Sequence, residues 1–336
     1  MAPRRGQPDP STQSTPTALP SRREGDATTA FTITPDTAFS LAAAAGFGFG
    51  PSTGRPRPDG SEMRLAFVTD DLRHHAGVHL RQDPAGTITG NVESDAPLDA
   101  VVGQVQRILS LDHRGDAWLE IGHRDPVIGR LQAEHACLRP VLFHSPYEAA
   151  AWSVISARRR QTQAAALRTR LAAAHGRTLR IAGEQLHAFP TPEQLLALRS
   201  FPGIEPVRME RLHAVAQAAM RGELEAGALR RSAPEDALVA LQRLPGIGPT
   251  YATLILLRAT GATDVMTYNE PRLPSYAAQL YGLGRPVATR DDLERISAAW
   301  RPFRTWAAVL VRVAGDRAGL TWTGVGDGGG RRRQAR

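Results

Sequence analysis

The chain has 336 residues, with 41 basic against 33 acidic side chains, a formal net charge of +8 and a sequence pI near 10.7. That length supports two or three domains, each with its own core, and the positive balance suits an anionic partner without separating nucleic acid from an acidic protein or a membrane surface. The single cysteine, Cys137, excludes a disulfide within the chain, a Cys₄ zinc site and an iron–sulfur cluster. Every basic side chain is arginine, so no lysine amine exists to form a Schiff base. The histidines lack metal-ligand spacing and are read as surface or structural, so no side-chain metal site and no organic cofactor is expected. No apolar run approaches the roughly 20 residues of a membrane span, and the N-terminus is polar where a signal peptide needs an apolar stretch. A soluble, cytoplasmic protein is the expectation.

In chain order, residues 1–30 are rich in Pro, Ser, Thr and Arg without hydrophobic periodicity and read as a disordered tail. Residues 31–35, 63–68, 77–83 and 87–93 alternate or carry β-branched side chains. With helices over about 38–46 and 97–109, they predict an α+β N-terminal domain over 31–110 with an antiparallel sheet. From about 111 the strand signals vanish, and a mostly α-helical domain is expected to run to 323. Ser145-Pro-Tyr-Glu148 predicts a capping box opening a helix that runs towards Arg160. Phe201-Pro-Gly-Ile204 resembles a hairpin turn, but Glu205 would repel phosphate, so the segment is read as helix packing. Residues 324–336 end in glycines and arginines and read as a second, basic disordered tail.

The most informative run is Leu244-Pro-Gly-Ile-Gly-Pro249. Ser232-Ala-Pro-Glu235 predicts a capping box that starts a helix before it and Pro249 a second helix after it, which gives a helix-hairpin-helix over 233–260. Gly246 and Gly248 lack a Cβ, so main-chain N–H groups can approach a phosphate, and the N-terminus of the second helix adds its positive dipole end. Gly246, Ile247, Gly248 and Thr250 are therefore candidate DNA contacts. The bland alternative is a helical hairpin whose glycines only permit a tight turn.

These features resemble the helix-hairpin-helix DNA glycosylases, in particular the 3-methyladenine DNA glycosylase II branch. The resemblance spans about 31–320 and adds Ile121-Gly-His-Arg-Asp-Pro126, the helix starting at Ser145 and Trp300-Arg-Pro-Phe-Arg-Thr-Trp-Ala307 to the hairpin. It implies removal of damaged, usually alkylated, bases by cleavage of the N-glycosidic bond, and it allows a monovalent cation on the main chain of 244–248. Relatives place a catalytic aspartate 22 residues after the second hairpin glycine; here that position is Glu270. Asp264, at the start of the same loop, is read as a turn residue. Ser156-Ala157 stands where relatives carry Gly-Gln in the segment that wedges into the duplex, and Arg158 or Arg159 is the replacement candidate, with a solvated basic face as the alternative. Thr250 and Arg312 occupy positions that relatives often give to pocket aromatics. Tyr251, Tyr268, Asn269, Trp152 and Trp306 remain candidate base-pocket residues, and the aromatic ones are read equally as packing.

The expectation is a monomeric, monofunctional glycosylase acting on double-stranded DNA, nucleoid-associated when bound, with water activated by Glu270 in a cleft between helical subdomains. The competing readings are a helix-hairpin-helix DNA-binding protein without catalysis and a basic scaffold for a protein partner.

Overall fold

The computed structural model describes residues 29–45, 60–266, 268 and 270–322. Strands β1 (Thr29–Ile33), β2 (Glu62–Val68), β3 (His75–Gln82) and β4 (Ile88–Ser94) form an antiparallel sheet in the order β1-β4-β3-β2. Its register sets Leu65 opposite Val78 and Val78 opposite Val92. These side chains build a core with α1 (Leu41–Ala45) and the Val101, Val105 and Ile108 face of α2 (Leu98–Ile108). The α+β N-terminal sheet and the helices after it agree with the sequence prediction. β1 starts at Thr29, inside the segment predicted as a tail. The rest of both predicted tails lies outside the described residues.

Helices α3 (Gly115–Arg124) and α4 (Pro126–Glu134) follow, joined at Asp125. The Asp125 carboxylate caps α4 at the N–H groups of Val127 and Ile128 and accepts from the Tyr281 hydroxyl at 2.6 Å and the Trp300 indole at 2.9 Å. The Ile121–Pro126 motif is thus a structural joint.

Helix α5 (Pro146–Ser156) is capped by the Ser145 hydroxyl, which accepts from the Glu148 N–H. It stops short of Arg160, because Ala157 leaves helical geometry at ψ 124° and Arg158 then adopts a φ of +55°. The Glu148 side chain does not complete a capping box. It is buried, accepting from the Val68 N–H at 3.0 Å and from Arg168 at 2.6 Å, with His144 Nδ1 at 3.2 Å. Burial alone would raise its pKa, but His144, Arg168 and the Val68 N–H outweigh it and hold the carboxyl at about 2. This one side chain ties the sheet to α5 and to α6 (Gln161–His175).

Sequence reading missed a second sheet, the hairpin of β5 (Arg177–Ile181) and β6 (Glu184–Ala188). It packs on the face of the first sheet opposite α2, through Leu179, Ile181 and Ala188 against Ala66. A Cβ at Gly77 would lie 2.7 Å from Ile181 Cδ1, so glycine permits this contact. Both faces of β2 are consequently buried, including the ion pair of Glu62 and Arg64 at 3.1 Å. Strand signals therefore do not end near 111: these five-residue strands sit among helices and carry little apolar sequence of their own.

Helices α7 (Pro192–Leu196), α8 (Pro206–Met220), α9 (Ala226–Arg231), α10 (Pro234–Gln242) and α11 (Pro249–Ala259) close a second core with α5 and α6 around Tyr147, Leu171, Leu212 and Ile255. The predicted capping box at Ser232 is not formed. Ala233 is the N-cap of α10, and the Ser232 hydroxyl donates to the Ala228 carbonyl at the end of α9. A third core joins α3 and α4 to α12 (Leu273–Leu280), α13 (Arg290–Ser297) and α14 (Arg304–Arg317) around Trp300 and Trp306. Among the described residues no helix is long and apolar enough to cross a membrane.

Candidate active site

The α10–α11 turn is anchored from below by Leu241, Leu244 and Ile247, all buried, and the Ile247 N–H donates to the Leu244 carbonyl at 3.0 Å. Ile247 thus contributes a core side chain. Gly246 has φ +87°, and a Cβ there would lie 2.7 Å from Cδ of Arg211, which reaches the turn from α8. Gly248 is extended at φ −87° with open space where a Cβ would stand, and it is the N-cap of α11 without any capping side chain. Gly248 and Thr250 are exposed, so the positive end of α11 faces solvent beside Arg211.

Because Gly248 has room for a side chain, Gly248→Asp is expected to keep the fold and to raise stability by a few tenths of a kcal/mol through an added N-cap. It should weaken duplex DNA binding about tenfold or more by placing a carboxylate where a phosphate would sit. Fluorescence anisotropy beside thermal melting reads both effects; unchanged affinity would remove the turn from the DNA contact surface.

A cavity of about 240 Å³ opens between α11 and α14, at the boundary of the second and third cores. Thr250, Leu254 and Leu257 form one wall, Ala308 and Val309 another, and Glu270 with Arg272 stands at the segment leading into α12. Arg258 and Arg312 also line it. Their guanidiniums are both lowered in pKa by burial. Arg258 comes down to about 9 through burial and then Arg312; for Arg312 the second cause is Arg272.

Glu270 Oε2 accepts from the N–H groups of Arg272 at 2.8 Å and Leu273 at 2.7 Å, the two residues at which α12 starts. Its Oε1 accepts from Arg272 Nε at 3.1 Å. Arg272 reaches on to Asp316, which also takes Arg312 at 3.1 Å and the Tyr276 hydroxyl at 2.9 Å. Burial opposes the charge on Arg272, but Glu270 and Asp316 outweigh it and raise its pKa. The loop before Glu270 is pinned to α14, where Thr305 N donates to the Thr263 carbonyl at 2.7 Å and Arg304 pairs with Asp264 at 2.7 Å. Asp264 is accordingly a loop anchor.

The structure brings Glu270, Thr250 and Arg312 together on one cavity. It does not bring Trp152 or Trp306 there: Trp152 lies in the second core, and Trp306 packs on Trp118 and Phe303 in the third. Both are held by packing that each core needs. Tyr251 packs partly buried on the second core, and Tyr268 lies under the Arg290 guanidinium at 4.5 Å. Asn269 lies outside the described residues. Arg159 is committed internally, donating to the Gly203 carbonyl at 2.8 Å and pairing with Glu205 at 2.7 Å, so Glu205 neutralises an arginine at the weaker turn. Arg158 is exposed in a left-handed turn. Sequence reading missed Arg211, Arg258, Arg272 and Asp316. A signal existed for Arg258, a charge inside the apolar run Leu254-Ile-Leu-Leu-Arg258-Ala.

No family model matches the chain. A curated DNA-3-methyladenine glycosylase from Bacillus subtilis (strain 168) is 22% identical over 214 residues, which cover 62% of this chain and 70% of that protein. Among solved structures, a 3-methyladenine DNA-glycosylase from Archaeoglobus fulgidus superposes with a TM-score of 0.67 at 20% identity, over 87% of this chain and 100% of the other. An 8-oxoguanine glycosylase/lyase from Clostridium acetobutylicum, in complex with double-stranded DNA containing cytosine opposite 8-oxoG, gives 0.62 at 15% identity over 88% and 99%. The chain shares the fold of these solved DNA glycosylases.

Proposed function

We propose that the protein is a monofunctional DNA glycosylase that hydrolyses the N-glycosidic bond of a damaged base. The observation that carries this reading is the position of Glu270: a carboxylate 22 residues beyond Gly248 lines the cavity that opens beside the uncapped start of α11. Main-chain N–H groups at the turn, the α11 dipole and Arg211 hold the phosphate backbone. The turn's carbonyls keep acceptor capacity for a monovalent cation, because the Leu244 carbonyl uses one of its two lone pairs on Ile247; no step depends on that cation.

The target nucleotide rotates out of the duplex, and its base enters the cavity of about 240 Å³ beside Glu270. As the base leaves, positive charge grows on the sugar, and a nearby carboxylate stabilises it. Glu270 Oε2 accepts two N–H groups and Oε1 one. A carboxylate oxygen has two lone pairs, so Oε1 retains one for the attacking water. Water is the nucleophile, since the chain has no lysine to form a Schiff base. Base release from duplex DNA carrying a panel of lesions tests the reading. Intact DNA binding with no release from any lesion would overturn it, in favour of a DNA-binding module without catalysis. One observation favours that second reading: Glu270 already has an arginine partner in Arg272.

Arg158 is the proposed wedge, ahead of Arg159, whose guanidinium is taken by Glu205. A left-handed φ of +55° costs a non-glycine residue about 1–2 kcal/mol. Arg158→Gly should therefore leave stability unchanged or raise it by up to about 1 kcal/mol. It should slow release about tenfold from a fully paired lesion and much less from a mispaired one, where flipping is easier. Single-turnover rates on the two duplexes decide it, and equal slowing on both would remove the wedge role.

A further inference from the structure

The lining of the cavity carries an unusual charge pattern for a site expected to take alkylated bases. Arg258, Arg272 and Arg312 are among the residues around it, against Glu270 as the single carboxylate residue, while most of the lining surface is apolar and the Arg258 guanidinium donates to the Val141 carbonyl. Asp316 stands behind them, paired with Arg272 and Arg312. Arg258 is only 6% exposed, and although burial lowers its pKa to about 9, it stays protonated at neutral pH. The remaining wall is aliphatic or threonine; no aromatic ring lines the cavity among the described residues. Bases alkylated at a ring nitrogen, such as 7-methylguanine in DNA, are cations, and a pocket selects cations by aromatic faces or by excess carboxylate. This cavity offers neither.

We infer that the cavity selects neutral damaged bases that present carbonyl oxygens, whether oxidised or deaminated, over cationic alkylated ones. The inference rests on the glycosylase reading and narrows its substrate class. Leaving-group chemistry points the same way. When the C1′–N bond of a neutral base breaks, both electrons go to the base nitrogen, and the base departs as an anion that then takes up a proton. The water oxygen adds to C1′ and gives its proton to Glu270. Guanidiniums along the cavity stabilise that departing anion in a partly dry site, where charge interactions are strongest. A cationic base departs neutral and gains nothing from them, while its bound state is repelled. The low-dielectric walls of Leu254, Leu257 and Val309 enlarge both effects.

The test uses the full chain and duplexes carrying 7-methylguanine, 8-oxoguanine or hypoxanthine, each made with a normal sugar for release and with a 2′-fluorinated, cleavage-resistant sugar for binding. Affinities are normalised to undamaged duplex, and rates to uncatalysed release. At least one neutral lesion should bind about tenfold more tightly than 7-methylguanine and show the larger rate enhancement, and the 8-oxoguanine and hypoxanthine arms separate oxidised from deaminated substrates. Arg312→Phe, which restores an aromatic ring and removes a charge, should shrink that ratio; Arg312→Gln should shrink it less. Binding discrimination without release from any duplex would support the charge selection and overturn the enzymatic reading. Equal or better binding and release of 7-methylguanine by the wild-type chain would overturn the inference, as would a ratio that neither variant moves in a folded protein.

Discussion

Glu270→Gln is expected to reduce single-turnover base release on the order of 10²–10³-fold while leaving duplex DNA affinity within about threefold. The glutamine side-chain oxygen can still accept from the N–H groups of Arg272 and Leu273, so the start of α12 keeps its cap and the melting temperature should move little. Under the proposed mechanism, what is lost is the charge that would stabilise the sugar cation and the acceptor that would take the proton of water. Glu270→Asp should retain release or improve it, because a shorter carboxylate reaches the same two N–H groups readily from a turn position. Glu270→Ala confounds the two roles, removing the cap for about 0.5–2 kcal/mol as well as the charge. Full release by Glu270→Gln would sink the catalytic assignment and leave Glu270 as a cap and partner of Arg272.

The largest stability effect is expected at Glu148. Its carboxylate is fully enclosed with Arg168, His144 and the Val68 N–H, and removing one partner of such a buried group typically costs about 3–5 kcal/mol because the other charge is left uncompensated. Glu148→Ala should therefore lower the urea midpoint steeply or abolish folding, and Glu148→Gln, which keeps shape and one acceptor, should still lose much of that stability. The same group predicts an acid dependence. Its folded pKa of about 2 lies below the ordinary 4.5, so the unfolded chain binds the proton more readily. The stabilisation, about 3 kcal/mol, is complete above pH 4.5 and is lost as the pH falls from there towards 2. His75 adds to this at milder pH. Burial depresses its pKa below 6.5 despite its 3.0 Å contact with the Phe189 carbonyl, and stability is withdrawn as the pH falls below 6.5. Denaturant titrations from pH 7 to 3 check both; a flat profile below pH 4.5 would remove Glu148 from its proposed role.

The legible parts of this protein were those with local causes. Alternation in β2–β4, apolar spacing in α2 and α11, and the glycine–proline punctuation of 244–249 each express a short-range preference of backbone or side chain, and each was readable from a window of a dozen residues. The β5–β6 hairpin was not, because its short strands gain their partner face only from Gly77 and Ala66, about a hundred residues earlier. Ser232 shows the same limit on a smaller scale: its sequence context permits a capping box, yet the nearer Ala228 carbonyl takes its hydroxyl.

At the site, the register from Gly248 to Glu270 was visible in the chain, as was the absence of lysine. Which side chains share a cavity with Glu270 was decided by tertiary packing. Trp152 and Trp306, attractive as stacking surfaces, are consumed by the cores that position α5 and α14, because large rings gain most when fully buried. Arg258 and Arg312, unremarked or ambiguous as single letters, become the charge of the cavity because α11 and α14 meet there. By itself the sequence determined most of the elements, the glycine–proline turn between α10 and α11 and the carboxylate's place along the chain, since backbone preference and spacing are local. The charge that surrounds that carboxylate was settled only by the fold, because electrostatics depends on distances between residues that the chain order does not contain.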